Sequence, residues 1–101
     1  MNLDEGHNGQ SIEAAVGETL TLRLPENPTT GFRWALCGDQ PGLETIEDGF
    51  ESGGSSPGAS GVRILRYRVV RPGDIDLHLQ NRQTWQPDQP ASELRIRVRV
   101  R

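Results

Sequence analysis

The feature that most constrains this chain is a two-residue hydrophobic period that returns segment after segment. It is cleanest at the end, where Leu94, Ile96, Val98 and Val100 alternate with Arg95, Arg97, Arg99 and Arg101. Successive side chains of a strand point to opposite faces, so such a segment reads as a strand with one apolar and one solvated side. The same period runs through Leu20, Leu22 and Leu24, through Leu65, Tyr67 and Val69, and through Ile75, Leu77 and Leu79. Ile12, Ala14 and Val16 make a short first run, and Phe32, Trp34 and Leu36 make the third. Pro25 is expected to end the second strand. Residues 43–50 offer only Leu43, Ile46 and Phe50, a weak and irregular signal. No segment carries a helical period. Seven strands at this spacing predict an all-β fold, an immunoglobulin-like antiparallel β-sandwich with Trp34 buried in its third strand.

A chain of 101 residues supports one core. The expectation is a single domain over residues 9–101, preceded by a loose polar tail at 1–8. Cys37 is the single cysteine, so no intrachain disulfide can form, and packing alone must hold the domain. The net charge of −3 gives no reason to expect nucleic acid or an anionic membrane as partner. The arginines of the last strand, with Arg66 and Arg68, read as a solvated outer face that also guards the last strand's edge. No apolar run approaches the roughly 20 residues needed to cross a bilayer. The opening Met1-Asn2-Leu3-Asp4-Glu5 lacks a basic and then apolar leader, so the expected setting is the cytoplasm or the mature part of an exported protein. Asp74 and Asp76 lie on one strand face without a third ligand, so neither a metal nor any other cofactor is expected. Cys37 and His78 invite a nucleophile–base pairing, but nothing around them supports it, and no enzymatic activity is expected.

The connections alternate in length. Gly17-Glu18, residues 38–42 and residues 71–74 are short, whereas residues 25–31, 51–61 and 81–91 are long. If successive strands run antiparallel, alternate connections fall at opposite ends, and all three long loops share one edge. A rigid scaffold with three long loops on one edge is a recognition surface.

The first of these loops is the most distinctive stretch. In Asn27-Pro28-Thr29-Thr30-Gly31-Phe32, Pro28 fixes its own φ and pushes Asn27 into an extended conformation. Two β-branched threonines follow, and Gly31 can supply a positive φ as the exit. This stretch, with Trp34 two residues on, resembles the chagasin family of cysteine-peptidase inhibitors. The family's second motif, Gly-X-Gly-Gly, is similar to Gly58-Ala59-Ser60-Gly61, with Ser60 in place of the third residue. Its third, Arg-Pro-aromatic, is represented by Gln83-Thr84-Trp85, where the aromatic alone is kept.

The resemblance implies reversible, tight inhibition of papain-like cysteine peptidases by a monomer whose three loops enter the active-site cleft. Thr29 would lie over the catalytic cysteine, the Gly58–Gly61 loop on the substrate side, and Trp85 on the leaving-group side. The departures at Ser60, Gln83 and Thr84 predict a weaker or narrower inhibitor than the family norm. The alternative is an immunoglobulin-like binding module that keeps the scaffold and engages some other protein.

Overall fold

The computed structural model describes residues 1–53 and 60–101. Among these residues eight strands form two four-stranded sheets. In chain order they are β1 (Asn2–Leu3), β2 (Ser11–Ala14), β3 (Thr19–Glu26), β4 (Phe32–Leu36), β5 (Leu43–Ser52), β6 (Gly61–Val69), β7 (Gly73–Gln83) and β8 (Ser92–Val100). One sheet has the order β1-β3-β6-β5 and the other β2-β8-β7-β4. The apolar sides of the alternating strands meet between the sheets. Leu20, Leu22, Leu24, Leu65, Tyr67, Val69, Leu77, Leu79, Leu94, Ile96 and Val98 are each no more than 2% exposed, as is Trp34. The expected all-β sandwich without a disulfide is the observed fold, with one strand more than the alternation showed.

That extra strand lies where a loose tail was expected. Asn2 and Leu3 pair in parallel with Thr21 and Leu22, and Leu3 is buried in the core. Burying one leucine is worth about 2 kcal/mol, and hydrogen bonds fasten the rest of the stretch: Thr21 N–H donates to Met1 O at 2.8 Å, Gly9 N–H to Arg95 O at 2.7 Å and Arg95 N–H to Asn8 Oδ1 at 2.9 Å. β2 also pairs in parallel, with β8, so the sandwich is antiparallel except along two of its edges. β2 ends at Ala14 and leaves Val16 exposed, because residues 15–18 turn the chain from one sheet into the other, closed by Glu18 N–H donating to Ala15 O at 3.0 Å.

Three further boundaries differ from expectation. Pro25 does not end β3, which continues to Glu26. β1 flanks β3 only at Thr21 and Leu22, so near Pro25 that side has no strand for a backbone N–H to serve. β7 runs on through Gln83, so residues 81–83 belong to the sheet. β8 sits in the middle of its sheet between β7 and β2, and its arginines therefore guard no edge. They face outward, while Arg66 and Arg68 face outward from the other sheet, beside Glu47 and Glu44. The two arginine rows point in opposite directions and form no common stripe.

The weak pattern of residues 43–50 has a definite cause. In β5 the register slips between Thr45 and Glu47, a bulge that skips the exposed Ile46. Thr45 stands opposite Tyr67, but after the bulge Asp48 stands opposite Leu65. A bulge adds one residue and re-aims those beyond it. Asp48 is thereby turned onto the core-side row, where its Oδ1 accepts from Arg63 Nη1 at 3.0 Å and its Oδ2 from Arg33 Nη2 at 2.9 Å.

These contacts belong to a cluster that fastens one end of the sandwich. Glu26 continues the inward row of Leu20, Leu22 and Leu24, and is 3% exposed. Its carboxylate accepts from Arg63 Nε at 3.1 and 3.2 Å, from Arg63 Nη2 at 2.6 Å, and from the Trp34 backbone N–H at 2.8 Å. Those hydrogen bonds raise the Arg63 pKa above its ordinary value against the opposing effect of burial, so the guanidinium stays charged. Phe50 packs its ring against the same guanidinium, 5.5 Å from the ring centre. Strands from both sheets thus converge on one buried charge pair.

Two measurements test this packing. Arg63→Met strands the Glu26 carboxylate in the core, and unfolding in urea should show a loss of about 3–5 kcal/mol; a loss below about 1 kcal/mol would mean that the pair is not desolvated. Separately, burial, with a smaller contribution from the Asp48 charge, pushes the Tyr67 phenol up to about 12. Because the folded value lies above the unfolded value near 10, the contribution is intact below about pH 10 and lost as pH rises toward about 12. The urea midpoint should fall across that window, and Tyr67→Phe should abolish the fall. A wild-type midpoint that is flat there would contradict the assignment.

Candidate functional site

The strand ends that carry the three connections do share one end of the sandwich. Glu26, the last residue of β3, is opposite Gly61, the first of β6, which is opposite Ser52, the last of β5. In the other sheet the start of β4 lies beside the end of β7, and Asn81 of β7 faces Ser92 at the start of β8. The connections are shorter than the alternation suggested, at 27–31, 53–60 and 84–91, because the strands reach further into them.

The first loop is a single 3-10 turn, Pro28–Thr30, capped by Asn27 at its start and by Gly31 at its end. Asn27 is extended, as the following proline requires, and its Oδ1 accepts from the Thr29 N–H at 3.1 Å and the Thr29 hydroxyl at 2.7 Å. The Thr30 hydroxyl donates to Asn27 O at 2.8 Å. Both threonine hydroxyls are therefore bound within the turn, and what the loop offers outward is shape. Gly31 closes the turn at φ +77°, a conformation that a side chain would strain, and its N–H donates to Pro28 O at 3.3 Å. Pro28, Thr29 and Thr30 are exposed, and Phe32 is half-buried at the head of β4.

The third loop starts with a β-turn, Gln86 N–H donating to Gln83 O at 3.1 Å, with Thr84 and Trp85 at its corner. A second turn follows, with Gln89 N–H donating to Gln86 O at 3.2 Å. Gln83 Nε2 donates across to Thr30 O at 2.9 Å. The Trp85 ring lies against Gly31: a β-carbon placed there would collide with Cη2 and stand 3.1 Å from Cζ2 and Cζ3. Even so, Trp85 is 66% exposed. The first and third loops are thus in direct contact, with an indole standing between them.

Of the second motif, Gly58 and Ala59 lie outside the described residues. Ser60 is exposed, and Gly61 is buried in β6, where a side chain would strike Glu51 O and the Phe50 ring. Glu26 and Arg63, beneath these loops, escaped the sequence reading. The signal was present, since Glu26 is two residues beyond Leu24 and Arg63 two before Leu65, both in step with buried rows.

Cys37 and His78 form no reactive pair. Their link is through the backbone, Cys37 N–H donating to His78 O at 2.9 Å. Burial raises the Cys37 thiol, partly offset by Arg82, whose Nη1 lies 4.0 Å from Sγ. A raised thiol is a poor nucleophile. The described residues contain no group of three or more His, Cys, Asp or Glu side chains that would hold a metal. Nor does any helix among them have the length and apolarity to cross a membrane.

Comparison with known proteins bears directly on this edge. Residues 13–100 match the family model described as chagasin family peptidase inhibitor I42. Chagasin of Trypanosoma cruzi is 32% identical over 87 residues, which span 80% of this chain and 79% of that protein. Among solved structures, the cysteine protease inhibitor EhICP2 from Entamoeba histolytica superposes with a TM-score of 0.85 at 18% identity, covering 99% of this chain and 93% of that one. PbICP-C, solved in complex with falcipain-2, superposes with a TM-score of 0.67 at 18% identity, covering 99% of this chain and 98% of that one. With the family model spanning nearly the whole sandwich, the chain belongs to the chagasin family of peptidase inhibitors, which are not enzymes.

Proposed function

We propose that this chain inhibits papain-family cysteine peptidases reversibly, by filling the active-site cleft with the edge formed by its three loops. The observation that carries the reading is the turn Asn27–Gly31, exposed at its tip yet hydrogen-bonded internally at every hydroxyl. A loop already held in one shape loses little entropy on docking. Asn27, Pro28, Thr29, Thr30, Gly31 and Phe32 form the centre of the contact, with Thr29 foremost. Gly58, Ala59 and Ser60 would flank it on one side, anchored by Gly61, which is fixed in β6. Gln83, Thr84 and Trp85 flank it on the other.

The chain blocks the cleft without chemistry of its own. The nucleophile and base that a peptidase needs belong to the partner, and the threonine hydroxyls of the turn donate only to amide oxygens, which are too weakly basic to activate them. An interface of roughly 1,600 Å² in total is ordinary for such a complex. Trp85, largely exposed in the free chain, is the described side chain with the most apolar surface to gain by burial.

Assays with purified papain and a peptide substrate test this reading. Wild type should inhibit competitively and reversibly, and Thr29→Arg should abolish inhibition by placing a charge at the tip; absence of wild-type inhibition at micromolar concentration would sink the proposal. Trp85→Ala should weaken binding by about 2 kcal/mol or more, roughly 30-fold. Thr84 occupies the second position of the β-turn, where proline is favoured, and follows the extended Gln83. Thr84→Pro should therefore tighten inhibition about two- to fivefold by removing disorder from the free loop, and unchanged or weaker inhibition would show that the loop is not limiting.

A further inference from the structure

Resting on the inhibitory reading and extending it, we propose that Gln83 is a positioning residue that locks the first and third loops into one preassembled unit. Its carboxamide caps the open end of the first turn. A 3-10 turn leaves its last carbonyls without partners inside the turn. Here Pro28 O is taken by Gly31 N–H, and Thr30 O is taken from outside by Gln83 Nε2 at 2.9 Å. Only the amide nitrogen of Gln83 can face a carbonyl, so the sense of this hydrogen bond is unambiguous. The turn is thus capped by one carboxamide at each end, Asn27 from within and Gln83 from the neighbouring strand.

The cap works because the backbone has already brought the two residues together. Gln83 is opposite Phe32 in the β4–β7 register, two residues beyond Thr30. It also opens the β-turn that carries Trp85, through Gln86 N–H donating to Gln83 O. One residue therefore holds the Thr30 carbonyl with its side chain and the Trp85 turn with its backbone. The indole then rests in the space that the missing β-carbon of Gly31 leaves open. Gly31 consequently has two reasons to be glycine: its positive φ and the ring above it. A family arginine is replaced at Gln83, but a donor is kept, and the expectation of a weaker inhibitor on that account does not follow from the geometry.

The consequence is energetic coupling. If Gln83 lets go, the Thr30 carbonyl loses a partner and Trp85 loses the surface that orients it. Both loops must then be ordered at the moment of docking. A donor at position 83 is what matters, so substitutions should sort by hydrogen-bonding capacity, not by size. Gln83→Glu keeps the shape but turns an acceptor toward a carbonyl. Gln83→Met keeps the length without a donor. Gln83→Arg keeps donors.

Two readouts are needed, one in the free chain and one with the peptidase. In the free chain, the Gly31 α-protons beneath the Trp85 ring should be shifted upfield in the NMR spectrum. That shift should collapse in Gln83→Glu, Gln83→Met and Trp85→Ala, and persist in Gln83→Arg, with dispersed strand resonances showing that each variant is folded. Against papain, Gln83→Glu and Gln83→Met should weaken inhibition about tenfold, whereas Gln83→Arg should stay within about threefold of wild type. A Gly31 shift unchanged in Gln83→Glu, or equal losses in Gln83→Arg and Gln83→Met, would overturn the proposal. Failure of wild type to inhibit papain would instead strike at the inhibitory reading, while the free-chain NMR result would still decide the coupling.

Discussion

The buried pair of Glu26 and Arg63 is the interaction on which the functional end of this sandwich depends. A β-sandwich can close its middle with leucines, but its ends carry strand termini whose backbone groups need partners. Here one carboxylate takes the Trp34 N–H and three contacts from one guanidinium, while that guanidinium reaches on to Asp48. An isolated buried ion pair is weak evidence of net stability, since desolvation consumes much of the attraction. Its value lies in geometry. β3 and β4 belong to different sheets and are joined by the first loop, and Glu26 sets the distance between the ends of that loop.

A rigid base makes a rigid loop sufficient. Between Glu26 and Phe32 the chain has five residues, and each contributes to one conformation. Asn27 caps, Pro28 restricts φ, both threonines bind Asn27, and Gly31 supplies the left-handed exit. The third loop leans on this turn through Gln83 and Trp85. An inhibitor of this sort draws its affinity from order already present before contact, and so benefits from every internal hydrogen bond at the edge.

Much of this was legible in the sequence, for a physical reason. Side-chain alternation has a period of two in any strand, so the leucine rows of β3, β7 and β8 announced themselves, as did Trp34. The Asn27–Gly31 turn was legible because proline and glycine restrict the backbone locally. What escaped depended on tertiary neighbours. β1 is two residues long and owes its place to one buried leucine and to backbone pairing with β3. The bulge at Ile46 hid β5 by shifting its period midway. Pro25 looked like a terminator because the sequence does not show which side of a strand lacks a neighbour. Glu26 and Arg63 went unread although both are in step with buried rows, because a charge at such a position is expected inside only when its partner across the sheet is known. At position 83 the departure from the family pattern was visible, but the Thr30 carbonyl that its carboxamide reaches was not.

The central claim is that the edge carrying the preformed first and third loops, and no outward sheet face, meets the peptidase. Amide hydrogen exchange of the chain alone and mixed with excess inactivated papain addresses it most directly. The account predicts new protection at residues 27–31 and 84–86, with the outward arginine face of β8 unchanged. Protection confined to that arginine face, or none at saturating papain, would contradict it.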